Sequence, residues 1–87
     1  MDSSYRVLAG KSARDQLAAL HIKYRQKRSP HAVAAADYKI TKALAANPQG
    51  GRPIARTKFW TVTVRPLQAK YEIVGQEVRI LRYDEAP

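Results

Sequence analysis

At "NPQGGRP", residues 47–53, the hydrophobic rhythm of the chain changes. Before this stretch apolar residues recur at steps of three and four, the spacing that puts them on one face of a helix. From Thr57 onward they recur at every second position, the spacing that puts them on one face of a strand. The chain therefore has to fold as a helical part followed by a sheet, with the Pro- and Gly-rich stretch between them read as a loop.

In the helical part, Ala13, Leu17, Leu20 and Tyr24 form one stripe. Ser12 and Asp15 have the spacing of a capping box, and the helix they open is predicted to run to about Lys27. Ser29 is suited to cap a second helix with Pro30 at its first position, where the missing N–H costs nothing. Its stripe is Val33, Ala36, Ile40, Ala43 and Leu44, and the Asn47-Pro48 step ends it. Only a few residues separate the two stripes, so an antiparallel helical hairpin is expected. Ahead of both, "YRVLA" is β-prone and Gly10 follows it, which predicts a first strand over Tyr5 to Ala9.

In the sheet part, Trp60, Val62 and Val64 alternate with Phe59, Thr61, Thr63 and Arg65. Pro66 cannot donate a ladder hydrogen bond and marks a bend. Beyond it Leu67, Ala69, Tyr71 and Ile73 share one face, while Gln68, Lys70 and Glu72 take the other. Gly75-Gln76 is a two-residue hairpin turn of the type with glycine first. Val78 and Ile80 resume the inward series, so continued alternation predicts that Arg79, Leu81 and Tyr83 point outward. The acidic "DEAP" close reads as an exposed end. The expected fold class is α+β in the order β-α-α-β-β-β. It is a single domain over 1–87, with the helical hairpin packed on one face of a mainly antiparallel sheet.

The other face of that sheet would meet solvent, and charge gives it a chemical character. Sixteen Lys and Arg against seven Asp and Glu leave a net charge of +9 on 87 residues, a field that attracts polyanions: RNA, DNA or an acidic protein. A second basic concentration, "HIKYRQKR", closes the first helix, where cations also interact favourably with the helix dipole. Cysteine is absent, which removes disulfides and thiolate metal sites. His21 and His31 stand apart from any acidic cluster, so neither a metal nor another cofactor is expected. No apolar run is long enough to span a bilayer, and "MDSSYRVLAG" lacks the pattern of a signal peptide. The expectation is a cytoplasmic chain with no membrane partner.

The order of these elements, the "A..I.KALAANP" close of the second helix, and "PLQAKYEIVGQEVRILRY" at the end resemble the RelE/ParE superfamily of type II toxins, over Tyr5 to Tyr83. The resemblance implies a small bacterial toxin neutralised by a cognate antitoxin protein that wraps around it. In the RelE-like branch it implies entry into the ribosome and cleavage of messenger RNA by attack of a ribose 2'-hydroxyl on the adjacent phosphate. A ParE-like reading implies a DNA gyrase inhibitor without nuclease activity. A third reading is an inactive basic member that binds antitoxin or nucleic acid.

The match to the family's nuclease pattern is incomplete. Gln68 stands where active members carry an arginine three residues ahead of the motif tyrosine, and Phe59 and Thr61 stand where paired lysines are expected. The usual C-terminal arginine and tyrosine would fall beyond Pro87, which leaves Arg82 and Tyr83 as their substitutes. On this reading Lys70, Arg79 and Tyr83 carry the catalytic step, with Tyr83 as acid or base if a cationic neighbour lowers its pKa. Lys58, Arg65 and Arg82, together with Lys23, Arg25, Lys27 and Arg28, are expected to contact nucleic-acid phosphates.

Overall fold

The computed structural model describes residues 4–27, 29 and 31–87. The first strand, β1, spans Arg6–Ala9, one residue shorter than the sequence suggests because the Tyr5 N–H donates to the Ala45 carbonyl instead of joining a ladder. Helix α1 follows over Lys11–Gln26. Gly10 takes its N-cap position in an extended conformation, and no side chain caps the helix. The Ser12–Asp15 capping box does not form, since the N-cap falls two residues earlier, at Gly10, and Asp15 pairs with Lys11 at 3.1 Å, one turn away.

Helix α2 spans Ala32–Ala46. His31 occupies its N-cap position without a side-chain bond, so Ser29 is not the cap; its carbonyl accepts from the Ala32 N–H instead. The expected Pro30 position lies outside the described residues. The predicted stripe is buried at Val33, Ala36, Ile40 and Leu44, while Ala43 is exposed. Asn47-Pro48 ends the helix as expected, and the chain makes a 3-10 turn over Pro48–Gly50.

Within "NPQGGRP" the structure adds a short strand that sequence reading took for loop: β2, Arg52–Pro53. It is followed by β3 (Phe59–Val64), β4 (Leu67–Val74) and β5 (Glu77–Glu85). The described residues form a five-stranded sheet in the order β1-β5-β4-β3-β2, antiparallel except where β1 lies parallel to β5. Gly75, with φ of 62°, supplies the left-handed residue that the tight β4–β5 turn requires.

Both helices cover one face of this sheet. Ala13, Val33, Ile40 and Leu44 pack with Leu67, Ala69, Tyr71 and Val78 in a single core, and Leu17, Leu20, Tyr24 and Trp60 close around it. Tyr71 is fully buried, and its hydroxyl donates to the Pro48 carbonyl. Burial raises its pKa, with the Gly51 backbone opposing. Gly51 is required here, since a Cβ would collide with the Tyr71 hydroxyl and come within 2.7 Å of the Thr61 carbonyl oxygen. The loop after α2 is thereby pinned to the sheet, which brings β2 alongside β3.

The predicted outward placement of Tyr83 is corrected by the pairing of β4 with β5. Tyr71 lies opposite Ile80 but Lys70 lies opposite Arg82, so Leu81 is an extra residue in β5. Such a bulge reverses the alternation beyond it. Tyr83 therefore turns inward and is only 3% exposed, while Arg82 turns outward. The "DEAP" close is also not a free end: Asp84 pairs with Gln68 in the sheet, and Glu85 meets Lys23 and Tyr24 of α1.

Candidate nucleic-acid interface

The face that the helices leave uncovered is ordered by cross-strand register. Residues directly opposite in adjacent strands project to the same side, and this gives two rows. Arg52, Thr61, Lys70 and Arg82 form one, across β2, β3, β4 and β5. Phe59, Glu72 and Arg79 form the next. Three cations from three strands thus share a single row, and Arg79 flanks it.

The charges in these rows differ in how far the fold already neutralises them. Arg82 contacts Asp84 at 2.8 Å, Arg79 contacts Glu77 at 3.2 Å, and Lys58 contacts Glu72 at 3.3 Å. Among the described residues neither Lys70 nor Arg52 meets a carboxylate. Lys70 instead sits 4.6 Å from the centroid of the Phe59 ring, an attraction that holds the ammonium on the face without removing its charge. Arg65 is exposed in the turn between β3 and β4, beside this face in sequence but outside the strand rows.

Tyr83 lies on the other side of the sheet from Lys70 and Arg79. Its hydroxyl donates to Asp37 Oδ1 at 2.6 Å, and its backbone N–H donates to Gln16 Oε1 at 2.9 Å. Burial, and then the Asp37 carboxylate, push its pKa well above the ordinary tyrosine range. The sequence-based expectation needed a cationic neighbour to lower that pKa; the structure supplies an anionic one. The open face accordingly offers cations for phosphate, and the carboxylates next to them are held in ion pairs.

The basic close of α1 is organised differently. Lys23 is bonded to Glu85, and the Tyr24 hydroxyl donates to the other Glu85 oxygen at 2.8 Å. Glu85 accordingly raises the Lys23 pKa through that bond, and is itself held below the usual carboxylate range by Lys23 first and Tyr24 second. Lys27 lies 5.4 Å from the Tyr24 ring centroid, and Arg25 is exposed. Arg28 lies outside the described residues. No group of three or more His, Asp or Glu among the described residues could hold a metal, and no described helix is long and apolar enough to cross a membrane.

This architecture has solved counterparts. The chain superimposes on a chain of the chromosomal ParDE toxin–antitoxin system from P. aeruginosa with a TM-score of 0.78 and 22% identity, covering 98% of this chain and 99% of that one. It superimposes on a chain of the RelBE2 toxin–antitoxin complex from Mycobacterium tuberculosis with a TM-score of 0.74 and 24% identity, covering 95% and 99%. The chain has the RelE/ParE fold. The same fold matches 35% of the TrmO chain from P. aeruginosa, at 21% identity and a TM-score of 0.60. No protein-family model and no curated protein sequence matches the chain.

Within this RelE/ParE fold, sequence reading found Lys70 and Arg79 on the open face but missed Arg52 and misplaced the β5 end. Arg52 carried no signal, because two residues are too short to show a period. The bulge did leave a trace. Strict alternation after Ile80 would have put Arg82, a cation, among the inward residues and Tyr83 in water, and that conflict marks an inserted residue.

Proposed function

We propose that this chain is the toxin of a type II toxin–antitoxin pair, and that it arrests translation by engaging messenger RNA on the ribosome through its open sheet face. The observation that carries this reading is the row Arg52–Lys70–Arg82, in which two of the three cations have no carboxylate partner among the described residues. Phosphates along a single strand are bound by such a row through charge, without base readout. In the cleavage step the 2'-oxygen bonds to phosphorus and the 5'-oxygen leaves, giving a 2',3'-cyclic phosphate and a 5'-hydroxyl. Lys70, Arg79 and Arg82 stabilise the charge that grows on the phosphoryl oxygens. The two proton transfers fall to groups of the ribosome or the RNA, since Tyr83 is buried on the far side.

A gyrase-directed reading is favoured by that same burial, because it leaves the open face without a tyrosine hydroxyl. Induced expression with and without the neighbouring reading frame tests the shared part: growth arrest that the neighbour relieves is expected, and harmless expression would overturn both readings. After arrest, cut transcripts in ribosome-bound RNA that disappear with Lys70→Ala and Arg82→Ala support the first reading. Double-strand DNA breaks with intact transcripts replace it with the second. The cognate antitoxin is expected to be a protein that protects cells when co-expressed.

A further inference from the structure

Strand β5 meets β4 in two registers that differ by one residue. Glu77–Ile80 lie opposite Tyr71–Val74, and Arg82–Glu85 lie opposite Leu67–Lys70, with Leu81 unopposed between them. A one-residue slip exchanges the faces of every side chain beyond it. Carrying the first register through would send Arg82 under the helices and Tyr83 to the open side. An unpaired strand residue disrupts the ladder, so the second register has to be held by contacts that the first would lack.

Those contacts all lie on the helix-covered side. Tyr83 is only 3% exposed, and its hydroxyl reaches Asp37 of α2 at 2.6 Å. The Tyr83 N–H lies on the edge of β5 that β1 does not reach, because β1 ends at Ala9 opposite Ile80. Gln16 of α1 accepts that N–H at 2.9 Å in place of a strand. Two residues on, Glu85 accepts from the Tyr24 hydroxyl at 2.8 Å. Both helices therefore grip the same short segment, and each grip is possible only in the shifted register.

We infer that Tyr83 is a positioning residue for the cationic row: anchored to Asp37 and Gln16 beneath the sheet, it fixes the Leu81 bulge and so turns Arg82 outward opposite Lys70. The bond from the phenol to Asp37 suits this role because a hydrogen bond to a carboxylate is stronger than one between neutral groups. Phenylalanine would fill the same volume while leaving Asp37 without that donor. The link to RNA binding rests on the proposed function, whereas the latch itself does not.

The chain contains no cysteine, so Lys70→Cys with Arg82→Cys introduces a single thiol pair across the β4–β5 register. The pair is expected to close under mild oxidation in the otherwise unaltered chain, since opposed strand positions meet disulfide geometry and side chains on opposite faces do not. Adding Tyr83→Phe together with Gln16→Ala is expected to slow closure about tenfold, the change that loss of a hydrogen bond to a charged group produces. Asp37→Asn, which keeps an acceptor for the phenol but removes its charge, is expected to slow closure less than Tyr83→Phe with Gln16→Ala does. Should the double background fail to fold, Gln16→Ala alone, on the partly exposed side of α1, is expected to slow closure measurably. Unchanged closure with Gln16→Ala and with Tyr83→Phe would overturn the inference.

In the cysteine-free chain, the salt dependence of binding to a single-stranded RNA oligonucleotide gives an independent reading. Tyr83→Phe with Gln16→Ala is expected to lower the log–log slope by about 0.7, one phosphate contact, and to add nothing on top of Arg82→Ala. Slowed disulfide closure with no RNA binding by any form would keep the latch and remove the nucleic-acid reading. Normal closure with weakened RNA binding would do the reverse.

Discussion

At the C-terminal end of α1, Lys23 is bonded to Glu85, while Lys27 lies against the Tyr24 ring and Arg25 is exposed; on the open sheet face, Arg79 and Arg82 are paired with Glu77 and Asp84, while Lys70 and Arg52 meet no carboxylate among the described residues. The two regions look alike in sequence, and the helical one is the denser. In the folded chain a Lys23 ammonium must leave Glu85 before it can hold a phosphate, whereas Lys70 can do so at once. Both regions keep cations without a carboxylate partner among the described residues, so what separates them is arrangement: those of the sheet stand in one row set by cross-strand register.

The largest expected effect that tests this contrast is on RNA affinity. Lys70→Ala with Arg82→Ala is expected to weaken binding of a single-stranded oligonucleotide at least about tenfold and to lower its log–log salt slope by about 1.4, as two phosphate contacts would. The thermal unfolding midpoint should stay close to that of the parent, because both side chains lie outside the core. Lys23→Ala with Lys27→Ala is expected to weaken binding less. An equal loss in filter binding or fluorescence anisotropy would break the comparison.

Stability should show the opposite ranking. Glu85→Gln removes the counterion of Lys23 and weakens the acceptor of Tyr24, and it is expected to lower the melting temperature while leaving RNA affinity near that of the parent. A smaller effect follows with pH. The Glu85 pKa is lowered in the folded chain, so its contribution to stability is present above the ordinary carboxylate pKa and is lost as pH falls through the depressed folded value. Melting curves in the acid range should show this part of the pH dependence disappear in Glu85→Gln; its persistence would exclude the Lys23–Glu85–Tyr24 contacts as the cause.

The smallest expected effect sharpens the comparison from the sheet side. Asp84→Asn releases Arg82 from its 2.8 Å ion pair, and RNA binding should tighten by roughly twofold, in line with the modest strength of an exposed pair. A weakening instead would mean that Asp84 orients Arg82 rather than competing with the phosphate.

Much of this architecture is legible in the sequence. The stripe Val33, Ala36, Ile40 and Leu44 and the alternation Leu67, Ala69 and Tyr71 are buried as their spacing requires, because burial of a helix or strand face is a local consequence of period. Lys70 was placed outward on the same grounds. The site was legible only in part. Arg52 joins the row through a two-residue strand that Gly51 allows to approach Tyr71, and nothing in "GGRP" by itself says which strand it will meet. Tyr83 and Arg82 exchanged faces at Leu81, a change that depends on Asp37 and Gln16, which are distant in sequence.

The chain's own residue order determined the helical hairpin, the strands, the sheet face without an apolar cover and the excess of positive charge, since each follows from neighbours a few positions apart. Tertiary structure alone decided which cations stand together. Cross-strand neighbours are chosen by register, and here the register is set by one extra residue and by hydrogen bonds from two helices that meet the strand only in the folded molecule.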